Sequence, residues 1–163
     1  SPELITALLA EARQRQLPVA VDPKFRQFRA YAGCTLFKPN LKELNEGLGL
    51  RLGGQDQAGL EAAIEQLRAE MPHQTTLVTL GGDGMLLRSE TGYHAFPAHR
   101  RTIADVSGAG DTVISLMGAG LAAGLDPVAV THYANLAGGL VCEHAGVVPV
   151  DPASLRAAAT GAP

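Results

Sequence analysis

Short apolar runs recur along the chain and end in residues that favour turns. They cover residues 19–21, 34–37 and 74–80, and two further β-rich runs at 85–88 and 93–98 are joined through residues 89–92. A continuous apolar run is typical of a strand that is buried on both faces of a parallel sheet. The last two runs, separated by a short polar turn, predict a hairpin.

Longer stretches between these runs carry apolar residues three and four positions apart, which predicts helices. The helical stretches cover residues 2–16, 40–47, 56–70, 109–123 and 127–144, and a short Ala-rich helix follows Asp151. Asp126-Pro127 and Asp151-Pro152 each combine a capping residue with a proline suited to a first helical turn. The alternation of strands with helices predicts an α/β fold, in which a largely parallel sheet is covered by helices on both faces.

Composition narrows the classes of protein that this chain can belong to. The chain has 163 residues, 46% of them apolar, which suits one folded domain. Its 18% of charged residues and formal net charge of −3 do not favour a nucleic-acid partner, and no apolar run is long enough to predict a membrane span. Cys34 and Cys142 have no metal-like spacing, so we expect two buried thiols and a cytoplasmic protein. The five histidines likewise show no pairing that favours a metal.

The chemically most informative segment is a flexible turn placed where a helix should begin. Gly108, Ala109 and Gly110 lie between Asp105 and Asp111. The first N–H groups of a helix have no internal partner, and glycines let a ligand approach them, so this turn can hold a phosphate. Asp111 would then lie beside that phosphate and could accept a proton from an attacking hydroxyl. The alternative is that the small residues only allow close helix packing. Two other phosphate-binding motifs are excluded. The segment lacks the third glycine of a dinucleotide-binding (Rossmann) loop, and the chain has no GK[ST] triplet, which a Walker A loop requires.

Residues 105–112 (DVSGAGDT) closely resemble the DTxGAGD signature of the ribokinase-like (PfkB) carbohydrate kinases. The resemblance implies ATP-dependent phosphorylation of a sugar hydroxyl. It also implies that the amides of residues 108–110 form an anion hole and that Asp111 is the catalytic base. Val106 departs from the threonine that is commoner at its position, which is a mild change because this position is not the base.

Asn40 and Glu43 form an N-x-x-E sequence after a predicted strand. This spacing predicts a capping box, which needs no ligand. The family resemblance implies a second role, in which Glu43 acts on Mg²⁺ and the ATP phosphates through water. The two roles are compatible. Mg²⁺ keeps several bound waters, so Glu43 would contact the ion through water while it also caps the helix.

Thr79, Gly81 and Gly84 follow the next predicted strand. From the residues alone this stretch is a glycine-built β-turn. The resemblance implies that it matches the family's T-x-G-x-x-G segment, which lies against the ATP ribose and phosphates.

Two further residues have an ordinary interpretation and a ligand-binding one. Asn135 lies within a predicted apolar helix, where its side chain can hydrogen-bond to the backbone; the resemblance places it near the adenine. Lys24 ends a strand at the side of a parallel sheet where ligands bind, so it either meets a phosphate or is simply solvated.

The sequence Val21-Asp22-Pro23-Lys24, followed by a Pro-Asn-x-x-Glu, looks most like the heptose-7-phosphate kinase branch of the family. This resemblance implies a sugar or sugar phosphate, such as heptose 7-phosphate, as the second substrate. Phe25 departs from the glycine usual in that branch.

Asp105, Ser107 and residues 145–148 match regions that hold a monovalent cation such as K⁺ in some family members, largely through backbone oxygens. The alternative is that Asp105 caps the turn by accepting hydrogen bonds from it.

The resemblance extends from about residue 2 to 159 and matches the C-terminal portion of a kinase of this family. We therefore expect a fragment that lacks the family's N-terminal part and lid, binds adenine nucleotide weakly and is inactive alone, with a homodimer possible only for the full-length protein. Two alternatives remain: a non-catalytic nucleotide-binding module, and a vitamin or nucleoside kinase.

Overall fold

The apolar runs form a mixed sheet in the computed structural model, which describes residues 1–99 and 102–161. The strands are β1 (Ala20–Val21), β2 (Leu36–Phe37), β3 (Thr75–Thr79), β4 (Met85–Ser89) and β5 (Gly92–Phe96), in the spatial order β1-β2-β3-β4-β5. Strands β1, β2 and β3 run parallel, and β4 returns antiparallel to β3. The predicted α/β class and the predicted hairpin are therefore confirmed.

The register of the parallel strands brings their carboxyl ends to one edge of the sheet. Phe37 pairs with Val21 on one side and with Thr76 on the other. After β2 has ended, Asn40 forms a parallel bridge with Thr79, the last residue of β3. α/β proteins bind ligands at the carboxyl ends of parallel strands, so this edge is the expected location of a binding site.

The sheet belongs to a first unit, Ser1–Ala95, which also contains three α-helices. These are α1 (Pro2–Gln14), α2 (Leu41–Leu48) and α3 (Gln57–Glu70). The core of this unit is built on Phe37, whose ring lies 5.2 Å from Phe28 and 5.4 Å from the imidazole of His73, measured between centroids. Around it pack the apolar faces of α2 and α3, with Leu44, Ile64 and Leu67 fully buried.

The second unit, which begins at Phe96, is helical in its described part. It contains α4 (Ala109–Ala122), α5 (Pro127–Val141) and α6 (Pro152–Thr160). Helices α4 and α5 pack closely at Gly120, where a Cβ would overlap the side chain of Val130. Asp126 caps α5 by accepting a hydrogen bond from the Ala129 N–H at 3.0 Å, so this predicted start is confirmed.

Several elements are shorter than the sequence pattern predicts, most of them by one or two residues, and two of these differences have a clear local cause. The strand predicted over residues 34–37 begins at Leu36, because Cys34 is held in a turn by a bond from its N–H to the Tyr31 carbonyl. The helix predicted over residues 127–144 ends at Val141, where the last N–H groups turn to carbonyls three residues back. Helices commonly tighten in this way at their ends.

The two cysteines are unpaired. Cys34 is fully buried, as expected, whereas Cys142 is only half-buried. Among the residues described, no helix is both long and apolar enough to cross a membrane.

Candidate functional site

The turn before α4 has the backbone geometry that an anion site requires. Gly108 is the N-cap of α4 and adopts the left-handed conformation, with φ 82° and ψ −5°. A Cβ at this position would lie 3.0 Å from Val147 Cγ1, so both conformation and space favour glycine. Among the described residues, no side chain caps the helix at this end.

Two of the first amides of α4, those of Gly110 and Asp111, have no acceptor among the described residues. The Thr112 N–H donates to the Gly108 carbonyl at 2.9 Å, while the Ala109 N–H makes a long bond of 3.3 Å to the Val106 carbonyl. Within residues 102–161, the N–H groups of Gly110 and Asp111 have no acceptor. The positive end of the helix dipole adds to these donors, so the head of α4 can hold an anion.

Asp111 lies in the first turn of α4, and its side chain is exposed. No side chain in the described part of the chain forms an ion pair or hydrogen bond with it. Its carboxylate is therefore available to accept a proton from a hydroxyl group that approaches the same helix end.

The carboxylate of Asp105 links this turn, through hydrogen bonds, to the loop that contains Gly146. Its Oδ1 accepts hydrogen bonds from the Ser107 N–H at 3.0 Å and the Ser107 hydroxyl at 2.8 Å, and its Oδ2 accepts one from the Gly146 N–H at 3.0 Å. These bonds, those from Ser107 foremost, hold the pKa of Asp105 below its usual value. Both oxygens thus already have donors, which favours the turn-capping interpretation of Asp105.

The monovalent-cation hypothesis for Asp105 and Ser107 receives no side-chain support. The Ser107 hydroxyl is itself a donor to Asp105. In the described ranges, no cluster of three or more His, Cys, Asp or Glu side chains could hold a metal ion. A cation at this loop would rest on backbone oxygens, and it stays a prediction.

In the first unit, Asn40 and Glu43 form the predicted capping box at the start of α2. Asn40 Oδ1 accepts from the Glu43 N–H, and Glu43 Oε2 accepts from the Asn40 N–H, both at 2.8 Å. The other carboxylate oxygen of Glu43 is not used by the box. The capping prediction is confirmed, and the geometry leaves one oxygen for the predicted role toward Mg²⁺.

The glycine-rich turn after β3 lies next to this box. The Thr79 N–H donates to the Pro39 carbonyl at 3.1 Å, which places Thr79 beside Asn40 at the carboxyl edge of the sheet. Gly81 and Gly84 take positive φ values of 61° and 97°, and a 3₁₀ turn over Gly81–Asp83 separates them. The sheet therefore brings Asn40, Glu43 and this turn together, as the sequence predicts for one binding edge.

Asp83 anchors the turn instead of facing a ligand. Gln55 Nε2 donates to Asp83 Oδ1 at 3.1 Å, and a Cβ at Gly54 would overlap the same carboxylate. The loop between α2 and α3 is thus held against the glycine-rich turn. Asp83 is therefore a structural residue of this turn.

Two lysines, Lys24 and Lys38, lie near the carboxylate of Asp22 at this edge, and Lys38 was not predicted as a site residue. Lys24, predicted as a phosphate ligand, is exposed and lies 3.6 Å from Asp22 Oδ2. Lys38 is buried, and its Nζ lies 3.0 Å from Asp22 Oδ1. The signal that could have found Lys38 is its position: Lys38 follows β2 as Asp22 follows β1, so two parallel neighbours place opposite charges side by side.

Asn135 is buried in α5, and its Nδ2 donates to the Pro97 carbonyl at 2.9 Å. This contact agrees with the backbone-bonding interpretation of Asn135. Its predicted contact with adenine stays a prediction.

Comparison with known proteins supports the resemblance over most of the chain. The family described as "pfkB family carbohydrate kinase" matches residues 1–153. The chain is 44% identical over 156 residues to the Bifunctional protein HldE of Coxiella burnetii (strain Dugway 5J108-111), covering 94% of this chain and 32% of that protein. It is 42% identical over 154 residues to the Bifunctional protein HldE of Rhodospirillum rubrum, covering 93% and 30%. The chain thus spans about a third of the length of these relatives.

Solved structures share the fold at low sequence identity. The phosphofructokinase-2 of Escherichia coli, crystallised in complex with potassium, superposes with a TM-score of 0.87 at 19% identity, over 99% of this chain and 53% of that one. The ribokinase of Arabidopsis thaliana, complexed with ribose and ATP, gives a TM-score of 0.81 at 17% identity, over 97% and 52%. The ribokinase-like fold expected from the sequence is therefore confirmed.

Proposed function

The chain belongs to the pfkB family of carbohydrate kinases, and on that premise we propose that it carries the catalytic base and the nucleotide-binding residues for ATP-dependent phosphorylation of a sugar or sugar-phosphate hydroxyl. The observation that supports this most directly is the head of α4. There, two amides that have no acceptor within residues 102–161 and an exposed carboxylate occupy the same helical turn.

In this proposal Asp111 accepts the proton of the attacking hydroxyl as its oxygen approaches the transferred phosphoryl group. The amides of Gly108, Ala109 and Gly110 stabilise the negative charge on that group. Phosphoryl transfer needs mainly positioning and electrostatic stabilisation, which preorganised backbone donors supply without reorganisation. The Asp105 bridge to Gly146 supports this turn, because it keeps the loop before Gly108 in one conformation.

The residues at the carboxyl edge of the sheet fit the nucleotide side of the reaction. Mg²⁺, which prefers oxygen ligands and keeps several waters, would be held through water by the free carboxylate oxygen of Glu43 and would neutralise charge on the phosphates. Asn40, Thr79, Gly81, Gly84 and Lys24 would contact ATP, and Asn135 the adenine.

The proposed acceptor is a sugar phosphate such as heptose 7-phosphate. The VDPK sequence and the Pro-Asn-x-x-Glu sequence support this choice, as do the relatives named HldE. Since the chain spans about a third of those relatives, we expect the isolated chain to bind nucleotide weakly and to transfer phosphate poorly. A homodimer when full length, bound K⁺ and a cytoplasmic location belong to the same proposal.

The test is Asp111→Asn in the longest polypeptide that contains these residues, assayed with Mg-ATP and heptose 7-phosphate. We expect kcat to fall by at least about a hundredfold, because general-base catalysis contributes on that order or more. The dissociation constant for Mg-ATP should stay near that of the unmodified protein. Retained transfer would show that Asp111 is not the base, and a polypeptide that binds nucleotide without any transfer would favour the non-catalytic module.

A further inference from the structure

The side chain of Val147 lies against Gly108, the N-cap of α4. If Gly108 carried a Cβ, the three nearest atoms to it would be Cγ1, Cγ2 and Cβ of Val147, at 3.0, 3.6 and 3.7 Å. The valine therefore lies on the face of Gly108 from which a side chain would project. A glycine can leave the left-handed conformation at little cost. A group packed on this face restricts the turn that carries the donor amides of α4.

Three hydrogen bonds hold the loop that contains Val147 to the turn before α4. The Gly146 N–H donates to Asp105 Oδ2 at 3.0 Å. The Cys142 carbonyl accepts from the N–H groups of Ala104 at 2.8 Å and Asp105 at 3.2 Å. Gly146 has a φ of 77°, so the chain turns sharply immediately before Val147. The position of the valine is therefore set by the hydrogen bonds of its loop.

Burial does not account for a valine at this position. Val147 is 75% exposed, more than any other of the exposed large apolar side chains in the ranges that the structure describes. Hydrophobic stabilisation is roughly proportional to the apolar area removed from water, so this side chain adds little to the stability of the fold. Its two methyl groups stand on a Cβ with restricted rotation, and this stiffness suits a side chain that restrains its neighbour.

We propose that Val147 is a positioning residue for the anion-binding turn: its methyl groups hold Gly108 in the conformation that directs the amides of residues 108–110 toward the transferred phosphoryl group. This rests on the proposed function and deepens it, by adding a side chain that acts through Gly108 without touching the substrate. Donors that are fixed in advance stabilise developing charge without reorganisation. Loss of Val147 therefore lowers the rate of transfer more than the affinity for nucleotide.

Three variants separate positioning from other roles of this side chain. Val147→Ala removes both methyl groups that face Gly108. Val147→Thr keeps the shape of the side chain and replaces one methyl group by a hydroxyl, so it preserves positioning. Leu125→Ala is the control, because Leu125 is also exposed, at 56%, but follows the opposite end of α4.

Steady-state kinetics of the longest polypeptide that contains these residues, with Mg-ATP and heptose 7-phosphate, give the first measurement. We expect Val147→Ala to lower kcat by about tenfold, since a displacement of about 1 Å costs on the order of a hundredfold and the loss of one contact shifts the turn by less. The KM for Mg-ATP should change by less than about twofold. Val147→Thr and Leu125→Ala should keep kcat.

Three results would overturn the proposal: an unchanged kcat in Val147→Ala, a fall in kcat that Val147→Thr shares, or a melting temperature of Val147→Ala well below that of Leu125→Ala. The second would mean that apolar surface and not shape matters. The third would mean that the valine stabilises the fold as a whole.

A second measurement needs no phosphate transfer. In the proton–nitrogen correlation spectrum of this chain, the amide signals of Gly108 and Gly110 should broaden or split in Val147→Ala, because the turn then exchanges between conformations. The amide of Gly118, in the interior of α4, is the internal reference and should not change. Unaltered signals of Gly108 and Gly110 would contradict the proposal. The proposed function fails separately: a chain whose turn signals broaden in Val147→Ala, yet whose longest polypeptide transfers no phosphate, keeps this contact and loses the kinase.

Discussion

The carboxylate of Asp105 accepts a hydrogen bond from the backbone N–H of Gly146, 41 residues further along the chain, at 3.0 Å. The same carboxylate binds the backbone and hydroxyl of Ser107. One side chain thus joins the loop that precedes α4 to the loop that follows α5. This junction lies directly before the first turn of α4.

We predict that Asp105→Asn lowers the melting temperature at neutral pH and that this difference disappears in acid. The pKa of Asp105 lies below its ordinary 3.8 because Ser107 and Gly146 donate to the charged form. A depressed carboxyl pKa contributes stability that is fully present above pH 3.8 and is lost as the pH falls through the lower pKa of the folded state. Thermal unfolding of both proteins over a series from about pH 7 to about pH 2 tests this, with the exposed Glu90→Gln as control. A difference that persists in acid would contradict the account.

We predict opposite effects for two glycine substitutions on α4. Gly108→Ala should lower the free energy of unfolding by about 1–2 kcal/mol, because its φ of 82° is costly for any residue with a Cβ, and Val147 adds crowding. Gly118→Ala should raise it by about 0.5–1 kcal/mol, because that helical glycine has open space around its Cα. Urea unfolding compares the two, and a stabilising Gly108→Ala would contradict the turn geometry.

We predict that the two roles of Glu43 can be separated. Glu43→Gln keeps an acceptor for the Asn40 N–H and so preserves the capping box, but it removes the charge that would face Mg²⁺. Glu43→Ala removes both. The melting temperature should fall only for Glu43→Ala, whereas Mg²⁺-dependent ATP binding should weaken in both variants. If Glu43→Gln binds Mg-ATP as the unmodified chain does, Glu43 acts only as a cap.

We predict that His73 makes the first unit less stable below about pH 6.5. Its Nδ1 donates to the Met71 carbonyl at 2.7 Å, and its Nε2 lies 2.6 Å from the Thr76 hydroxyl. Burial, the largest cause, lowers the pKa of His73 below its ordinary 6.5. The unfolded chain therefore binds a proton that the folded chain resists, and the free energy of unfolding falls as the pH drops through this range.

The measurement for His73 is urea unfolding at about pH 7.5 and about pH 5.5, compared with His73→Leu. The variant should lose less stability on acidification than the unmodified chain. An equal loss in both proteins would mean that His73 is protonated in the folded state as readily as in the unfolded one.

Where interactions between residues close in sequence determine the structure, the sequence alone was sufficient to predict it. Asn40 and Asp126 start helices because a side-chain oxygen can reach an N–H three residues on, which depends on spacing alone. The strand runs and the hairpin follow equally from local pattern. The fold class and the start of α4 could therefore be predicted from the sequence alone.

The rest depends on contacts between residues distant in sequence. That Lys38 is buried against Asp22 follows from the register of β1 and β2, which no local pattern fixes. The bond from Asn135 to the Pro97 carbonyl joins residues 38 positions apart, so a buried amide looked equally suited to a ligand or to the backbone. The early end of α5 is likewise set by the turn after Val141 and not by apolar periodicity.

Because Cys34 is fully buried, the rate at which its thiol is alkylated reports how often the first unit opens. Burial raises the pKa of this thiol to about 12, and none of its surface is exposed, so an alkylating reagent reaches a reactive thiolate only when the first unit opens. Cys142, half-buried in the second unit, should react sooner. The labelling rates of the two cysteines, read by mass spectrometry, would time the opening of each unit separately in a single unmodified chain.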